Sequence, residues 1–334
     1  MLPSSVLSAK FFHNEAEAFK HVEKILWPNG PICPHCGNFD QDRIKRLEGK
    51  STRLGLLKCN ECRMQFTVKV GTVFESAHVP LHKMLQALHL MACSKKGVSA
   101  HQLHRILQVT YKTAWFLAHR IREAMRTGGL GPMGGLGSIV EVDETYFGPA
   151  DEQPTETTSG KPFKKRGTHG PSGKRAVVAL VERGGEVRTF HVDRMDKATV
   201  DTIVRGNVAS ESRLHTDESR LYGDAAEHFA AHETVKHSAD EYVRYNHTFP
   251  NGKLHTEKVH TNSAEGYFSI FKRGMKGVYQ HCSEKHLHRY LAEFDFRYNA
   301  RAALGVSDEM RAGKALKGIA GKRLTYRNPD RATA

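Results

Sequence analysis

SIVEVDETYF, Ser138 to Phe147, decides how the rest of this 334-residue chain is read. Its β-branched and aromatic residues fit a strand, and Gly148-Pro149 ends it. Asp143 therefore falls inside a strand, where a carboxylate is disfavoured unless chemistry requires it. Downstream, Arg175 to Glu182 and Glu186 to Val192 flank Gly184-Gly185 as the arms of a β-hairpin. Asp196 to Val208 is amphipathic and helical, and Arg213 to Asp217 is a short strand ending on a second acid.

The order β-β-β-α-β predicts an α/β fold with an RNase H-like mixed sheet and flanking helices. In such a sheet Asp143 and Asp217 lie on neighbouring strands. They are then close enough to share two divalent cations roughly 3.5–4 Å apart, the arrangement that cleaves phosphodiesters. Oxygen ligands of this kind suit Mg2+ or Mn2+. The third carboxylate is sought in Thr261 to Lys276, a predicted helix that opens Asn262-Ser-Ala-Glu265 and carries Phe268, Phe271 and Met275 on its apolar side. Asn-x-x-Glu before an apolar run is also a capping box, in which Glu265 would only return a hydrogen bond to the backbone. Lys272 and Lys276, however, share the face of Glu265 on a 3.6-residue helix, as a metal-bound carboxylate beside phosphate would need. Glu265 is the candidate, and both roles at once are compatible.

At the head of the chain, Cys33-Pro-His-Cys36 and Cys59-Asn-Glu-Cys62 are two C-x2-C knuckles, the spacing of a structural Zn2+ site. Arg53 to Lys58 and Gln65 to Val70 read as short strands of a zinc ribbon, whose folding energy would be largely metal binding. Four unliganded or redox thiols are the alternative, but the βαβ setting of a redox pair is missing.

From Pro80 onward the period turns helical, with Leu81, Met84, Leu85, Leu88 and Met91 at three- and four-residue spacing before Gly97. Ser99 caps a short second helix and Thr110 a third, Tyr111 to Met125, across a tight join at Gln108-Val109. Two short helices with a basic second member fit a helix-turn-helix, with Lys112, Arg120 and Arg122 as DNA contacts; an ordinary helical bundle is the alternative. Thr127 to Gly137 reads as a linker. Pro149 to Lys174 reads as a flexible basic loop able to order on DNA. His281, Cys282, His286 and His288 match no ligand spacing, and Cys93 reads as a buried apolar residue.

Lys and Arg outnumber Asp and Glu by 50 to 36, and the net charge of +14 points to a polyanionic partner. Leu85 to Ala92 is too short to span a bilayer, so no membrane partner is expected. A cytoplasmic setting is expected, nucleoid-associated when DNA is bound, with reduced thiols.

VEVDETYFG, HTDES, HTNSAEGYFSIFKRGMKGVYQH and HLHRYLAEFDFRYNAR resemble the ISXO2-like DDE domain of IS1595-family insertion-sequence transposases. The zinc ribbon belongs to the same pattern, and the resemblance runs from about Ala16 to Arg301. It implies a ribbon with its leading helix over 16–75, a helix-turn-helix-like region over 78–127, a catalytic domain over 138–301 and a tail over 302–334. It also implies the acidic triad Asp143, Asp217 and Glu265, with Lys272 as the basic position after the third acid. The family's third member is Glu or Asn, so Asn262 either ligates or caps. Lys272, Arg273 and Lys276 would hold the phosphate backbone. The implied activity is transposition: binding terminal inverted repeats, two-metal 3′-end cleavage and strand transfer to target DNA, by a homo-oligomer in the synaptic complex. A non-catalytic, domesticated DNA-binding regulator and a structure-selective nuclease on the same core are the alternatives.

Overall fold

The computed structural model describes residues 5–149, 160, 173–223, 227–248 and 255–325; the basic loop expected over 149–174 lies almost wholly outside the described residues. The chain forms two compact units, one of Met1–Thr127 with Ala300–Ala334 and the other of Gly128–Asn299.

The first unit opens with α1 (Glu15–Leu26), which Asn14 caps by accepting from Glu17 N–H at 3.1 Å. Three short strands follow, β1 (Ile44–Arg46), β2 (Leu57–Cys59) and β3 (Gln65–Phe66), paired antiparallel in that order. The strand expected over Arg53 to Lys58 thus begins only at Leu57, since Arg53 N-terminal to it turns back through Leu56 N–H. Helix α2 (Leu81–Cys93) buries all five of the periodic residues named above. Its own N-cap is Pro80, which offers no side-chain acceptor. The Glu15 carboxylate of α1 fills that place, accepting from Leu81 N–H at 2.7 Å and His82 N–H at 3.0 Å. Ser99 caps α3 (Ala100–Leu107), Gln108 turns the chain in the left-handed region at φ 52°, and Thr110 caps α4 (Tyr111–Met125).

In the second unit β4 (Ile139–Pro149), β5 (Lys174–Glu182) and β6 (Val187–Val192) form an antiparallel meander. Gly184, at φ +75°, supplies the left-handed residue its second turn requires. Asp196 caps α5 (Lys197–Asn207), and the chain re-enters the sheet as β7 (Arg213–Asp217), parallel to β4, then β8 (Ala231–Val235), parallel to β7. The five-stranded order β6-β5-β4-β7-β8 is the RNase H-like mixed sheet expected from the sequence. Strands β9 (Arg244–Thr248) and β10 (His255–Val259) make a separate antiparallel pair.

Strand β5 is apolar on both faces because helices cover both. Val178 and Leu180 join α5 residues Val200 and Val204 in one core. Val177, Ala179 and Val181 join Phe268 and Phe271 of α6 (Asn262–Gly274) and Leu291 and Phe294 of α7 (Leu287–Asn299) in the other. Helix α6 runs on into a π-helical turn, Met275–Tyr279. The free edge of β6 is closed by α7: Asn299 Oδ1 accepts from Val187 N–H at 2.7 Å and its Nδ2 donates to Val187 C=O at 2.9 Å, as a neighbouring strand would.

The chain then returns to the first unit. The stretch expected as a tail contains α8 (Asp308–Lys317), which packs on α2 and α4. Gly318 passes α4 so closely that a Cβ there would stand 2.2 Å from Ala124 C=O. Lys322 Nζ donates to the Ala124 and Arg126 carbonyls at 3.0 and 2.6 Å, satisfying the end of α4.

Candidate metal centres and their surroundings

Two knuckles bring the four cysteines of the head together. Cys33 and Cys62 sulfurs are 3.6 Å apart, Cys36 and Cys59 sulfurs 3.7 Å, and all four lie within 4.8 Å of one another. Four thiolates about 2.3 Å from one Zn2+ would stand roughly 3.8 Å apart at the corners of a tetrahedron, so the set fits zinc. The Cys62 and Glu61 N–H groups hold the Cys59 thiol down at about 6, while burial and the three neighbouring thiols push Cys36 up to about 12, so it is the geometry that fits a metal. Ile44, Leu57 and Phe66 pack beside the site with Val70, and the Trp27 ring stands edge-on to Phe66 at 5.9 Å.

The second centre is acidic. Parallel pairing sets Glu141 of β4 opposite His215 of β7, and two residues further on the same face this register makes Asp143 level with Asp217. Asp143, Glu144 and Asp217 offer carboxylate oxygens within 4.8 Å of one another. Glu265, in the first turn of α6, lines the same open cleft of about 660 Å³ with Asp143, Glu144, Lys272, Arg273 and Lys276. Burial, then the Glu144, Asp217 and Glu265 carboxylates, push Asp143 up to about 7. Burial likewise raises Glu144, against the hydroxyl that Tyr222 donates to it. Lys272 is drawn down by burial, while Asp143 acts to keep it charged. An oxygen-only set whose members resist ionising together is one that a hard divalent cation completes. Glu144 was not singled out in the sequence; only its place beside Asp143 hinted at it.

Residues 135–299 match the family model of the ISXO2-like transposase domain, and residues 13–65 match that of the transposase zinc-ribbon domain. The chain belongs to the ISXO2-like transposases. Among solved structures, a pre-cleavage Mos1 transpososome is similar at 12% identity and a TM-score of 0.25, over 70% of this chain and 74% of that one. No curated protein matches the transposase.

The capping-box alternative for Glu265 is replaced by a different arrangement. The N-cap of α6 is Thr261, which makes no side-chain cap. The orphan N–H groups of Ser263 and Ala264 donate instead to Oε2 of Glu141, a carboxylate that is 0% exposed, at 2.7 and 3.2 Å. Glu265 is left to the cleft, with His237 Nε2 3.7 Å away. Asn262 is exposed and is not among the residues lining that cleft.

On α4 of the transposase, Lys112 is exposed, but Arg120 and Arg122 are buried, at 8% and 2% exposure. The basic face expected of this helix is thereby reduced to Lys112. The helix from Ala118 onward is enclosed, and α8, which the sequence reading left as a tail, packs along it. Cys282 belongs to the core beneath α7, and His286 pairs with Arg289 at 3.0 Å; among the described residues they and the neighbouring histidines form no common metal group. Cys93 is half-buried, donating to Asp308 C=O at 3.4 Å, and burial raises its thiol to about 11. A further group, His215, Glu233 and Glu257, has donor atoms close enough for a metal. Arg213 already bridges its two carboxylates, Arg183 Nη2 lies 3.2 Å from His215 Nδ1, and His215 Nε2 lies 2.8 Å from Glu233 Oε2. The group is an ion-pair network.

Proposed function

We propose that this transposase is a metal-dependent enzyme that binds the terminal inverted repeats of an insertion sequence, frees a 3′ end by hydrolysis and joins it to target DNA. The observation that carries the reading is a cleft lined by Asp143, Glu144 and Glu265 together with Lys272, Arg273 and Lys276, with Asp217 close enough to Asp143 and Glu144 to share a metal with them. Acids alone repel a phosphodiester; acids backed by a basic rim suit one held beside cations. Asp143, Asp217 and Glu265 would hold two Mg2+ or Mn2+ ions, with Glu144 as a fourth oxygen donor. Such ions supply a water or 3′-hydroxyl nucleophile at neutral pH and stabilise the leaving oxygen.

The chain's own residues orient the scissile phosphate. Lys272, Arg273 and Lys276 hold its non-bridging oxygens and the adjacent backbone, and Asp143 and Asp217, on rigid strands, fix the line of attack. In the first step water forms a bond to phosphorus and the bond to the element's 3′ oxygen breaks. In the second that 3′-hydroxyl forms the new bond and a target 3′ oxygen leaves. Each exchanges one P–O bond for another, so no covalent protein intermediate is needed. The zinc-braced head and Lys112 contribute to holding the end, and at least two copies of the chain act together because two ends are joined.

The test is Asp143→Asn assayed on labelled end DNA. Binding is expected to survive and cleavage to vanish, and strand transfer by the parent distinguishes a transposase from a structure-selective nuclease. A variant that cuts at the parental rate removes the site assignment; a parent that binds but never cuts returns the chain to a regulator.

A further inference from the structure

Each of the three acids stands two residues after a member of one buried polar network. Glu141 precedes Asp143 on β4, His215 precedes Asp217 on β7, and Ser263 precedes Glu265 on α6. On a strand, residues two apart share a face, so fixing Glu141 and His215 fixes the side from which the two aspartates project. On α6, Ser263 lies in the same first turn as Glu265, so fixing it sets where that turn begins.

Arg183, at the turn between β5 and β6, joins the three. Its Nε and Nη2 both donate to Glu141 Oε1, at 3.0 and 2.9 Å, and Nη2 reaches His215 Nδ1 at 3.2 Å. Its Nη1 donates to Lys258 C=O at 2.8 Å and Nη2 to His260 C=O at 3.2 Å, which pins the segment entering α6. Glu141 completes the link: beyond its two backbone bonds to α6, its Oε1 accepts from Ser263 Oγ at 2.9 Å. None of these groups lines the acidic cleft.

We propose that Arg183, acting through Glu141, His215 and Ser263, is the positioning residue that sets the spacing of Asp143, Asp217 and Glu265 and hence the affinity of the cleft for divalent cations. The proposal rests on the metal-dependent reading above. Supporting groups one layer behind metal ligands commonly change affinity about 10–100-fold when removed, and here one side chain serves three ligands. The Arg183 side chain is 25% exposed, but the Glu141 carboxylate that it grips is 0% exposed and has no water as an alternative, so the pair is a firm hub.

The experiment measures Mn2+ binding to the zinc-loaded full chain by electron paramagnetic resonance, with no DNA and no turnover. Arg183→Gln and Glu141→Gln are each expected to weaken Mn2+ binding roughly 10–100-fold. The double variant is expected to lose little more than either alone, because both break the same unit. Val204→Ala, in the core on the opposite face of the sheet, is the control for simple destabilisation and should leave the Mn2+ affinity unchanged. Folded variants that bind Mn2+ as the parent does, or a Val204→Ala loss of equal size, overturn the inference while leaving the metal-dependent reading intact. Should Arg183→Gln fail to fold, the milder Ser263→Ala keeps both backbone donors to Glu141 and is expected to weaken Mn2+ binding severalfold; no weakening overturns the inference. A parent that binds no Mn2+, with Asp143→Asn indistinguishable from it, overturns both.

Discussion

Replacing Asp143 by Asn should make the metal-free protein more stable while destroying its activity. In the folded chain the Asp143 carboxyl is pushed from 3.8 to about 7, by burial first and by three neighbouring carboxylates next. Between about pH 4 and pH 7 the folded state therefore holds a proton that the unfolded chain has lost. Stability falls as pH rises through that window and stays low above it. The full displacement corresponds to roughly 4 kcal/mol, and about 2–4 kcal/mol is the expected gain for Asn near pH 8. For a unit of this size that is a rise in melting temperature on the order of 5–12 °C. Scanning calorimetry of the full chain, freed of Mg2+ by dialysis so that zinc stays in place, measures it directly. The gain should shrink to nothing near pH 4, where both proteins are neutral at this position. Saturating Mg2+ should raise the parent's transition and leave the variant's where it was. An Asn variant no more stable than the parent near pH 8 would refute the argument that carboxylate repulsion loads this cleft.

Three further outcomes follow from the geometry. Cys59→Ser should unfold the head and abolish binding to end DNA, because structural zinc supplies about 10–16 kcal/mol in modules this small; circular dichroism and gel shift would register it, with the acidic cleft's Mn2+ affinity intact. Lys272→Ala should cut strand cleavage by about 10²–10³ with little change in end binding, as loss of one charge-stabilising donor at a reacting centre does; single-turnover kinetics separates the two. Phe271→Ala, at a fully buried position between α6 and the sheet, should cost about 3–5 kcal/mol, read by urea unfolding.

What the sequence disclosed were features that act locally. The β-rich composition of SIVEVDETYF, the Gly184-Gly185 turn and the Ser99 and Thr110 caps each involve residues within a few positions of one another, and each reappears in the structure. The doubled C-x2-C spacing likewise brings four cysteines together, and the middle of β4 and the end of β7 bring Asp143 and Asp217 together. Partnerships between distant segments were out of reach. Glu15 caps α2 and Glu141 caps α6 across 66 and 122 residues, and nothing near Leu81 or Ser263 signals either donor's need. For the same reason the Asn262-x-x-Glu265 pattern was ambiguous, and Glu144 passed as an ordinary strand residue. Arg120 and Arg122 read as surface charges because helical period reports the apolar face, not what later packs on the polar one. The C-terminal stretch misled for a related reason. Its helix is short and highly polar, with only Arg311, Ala315 and Leu316 buried.

The return of α8 to the first unit has a consequence for how the protein is made. Synthesis runs from the first residue to the last, so the ribosome completes the acidic unit before it releases the helix that finishes the head. Until then α2 lacks a neighbour and the last carbonyls of α4 lack Lys322. The first unit is thus begun before the acidic unit and finished after it, and a transcript cut short anywhere before Asp308 yields a chain whose head is never closed.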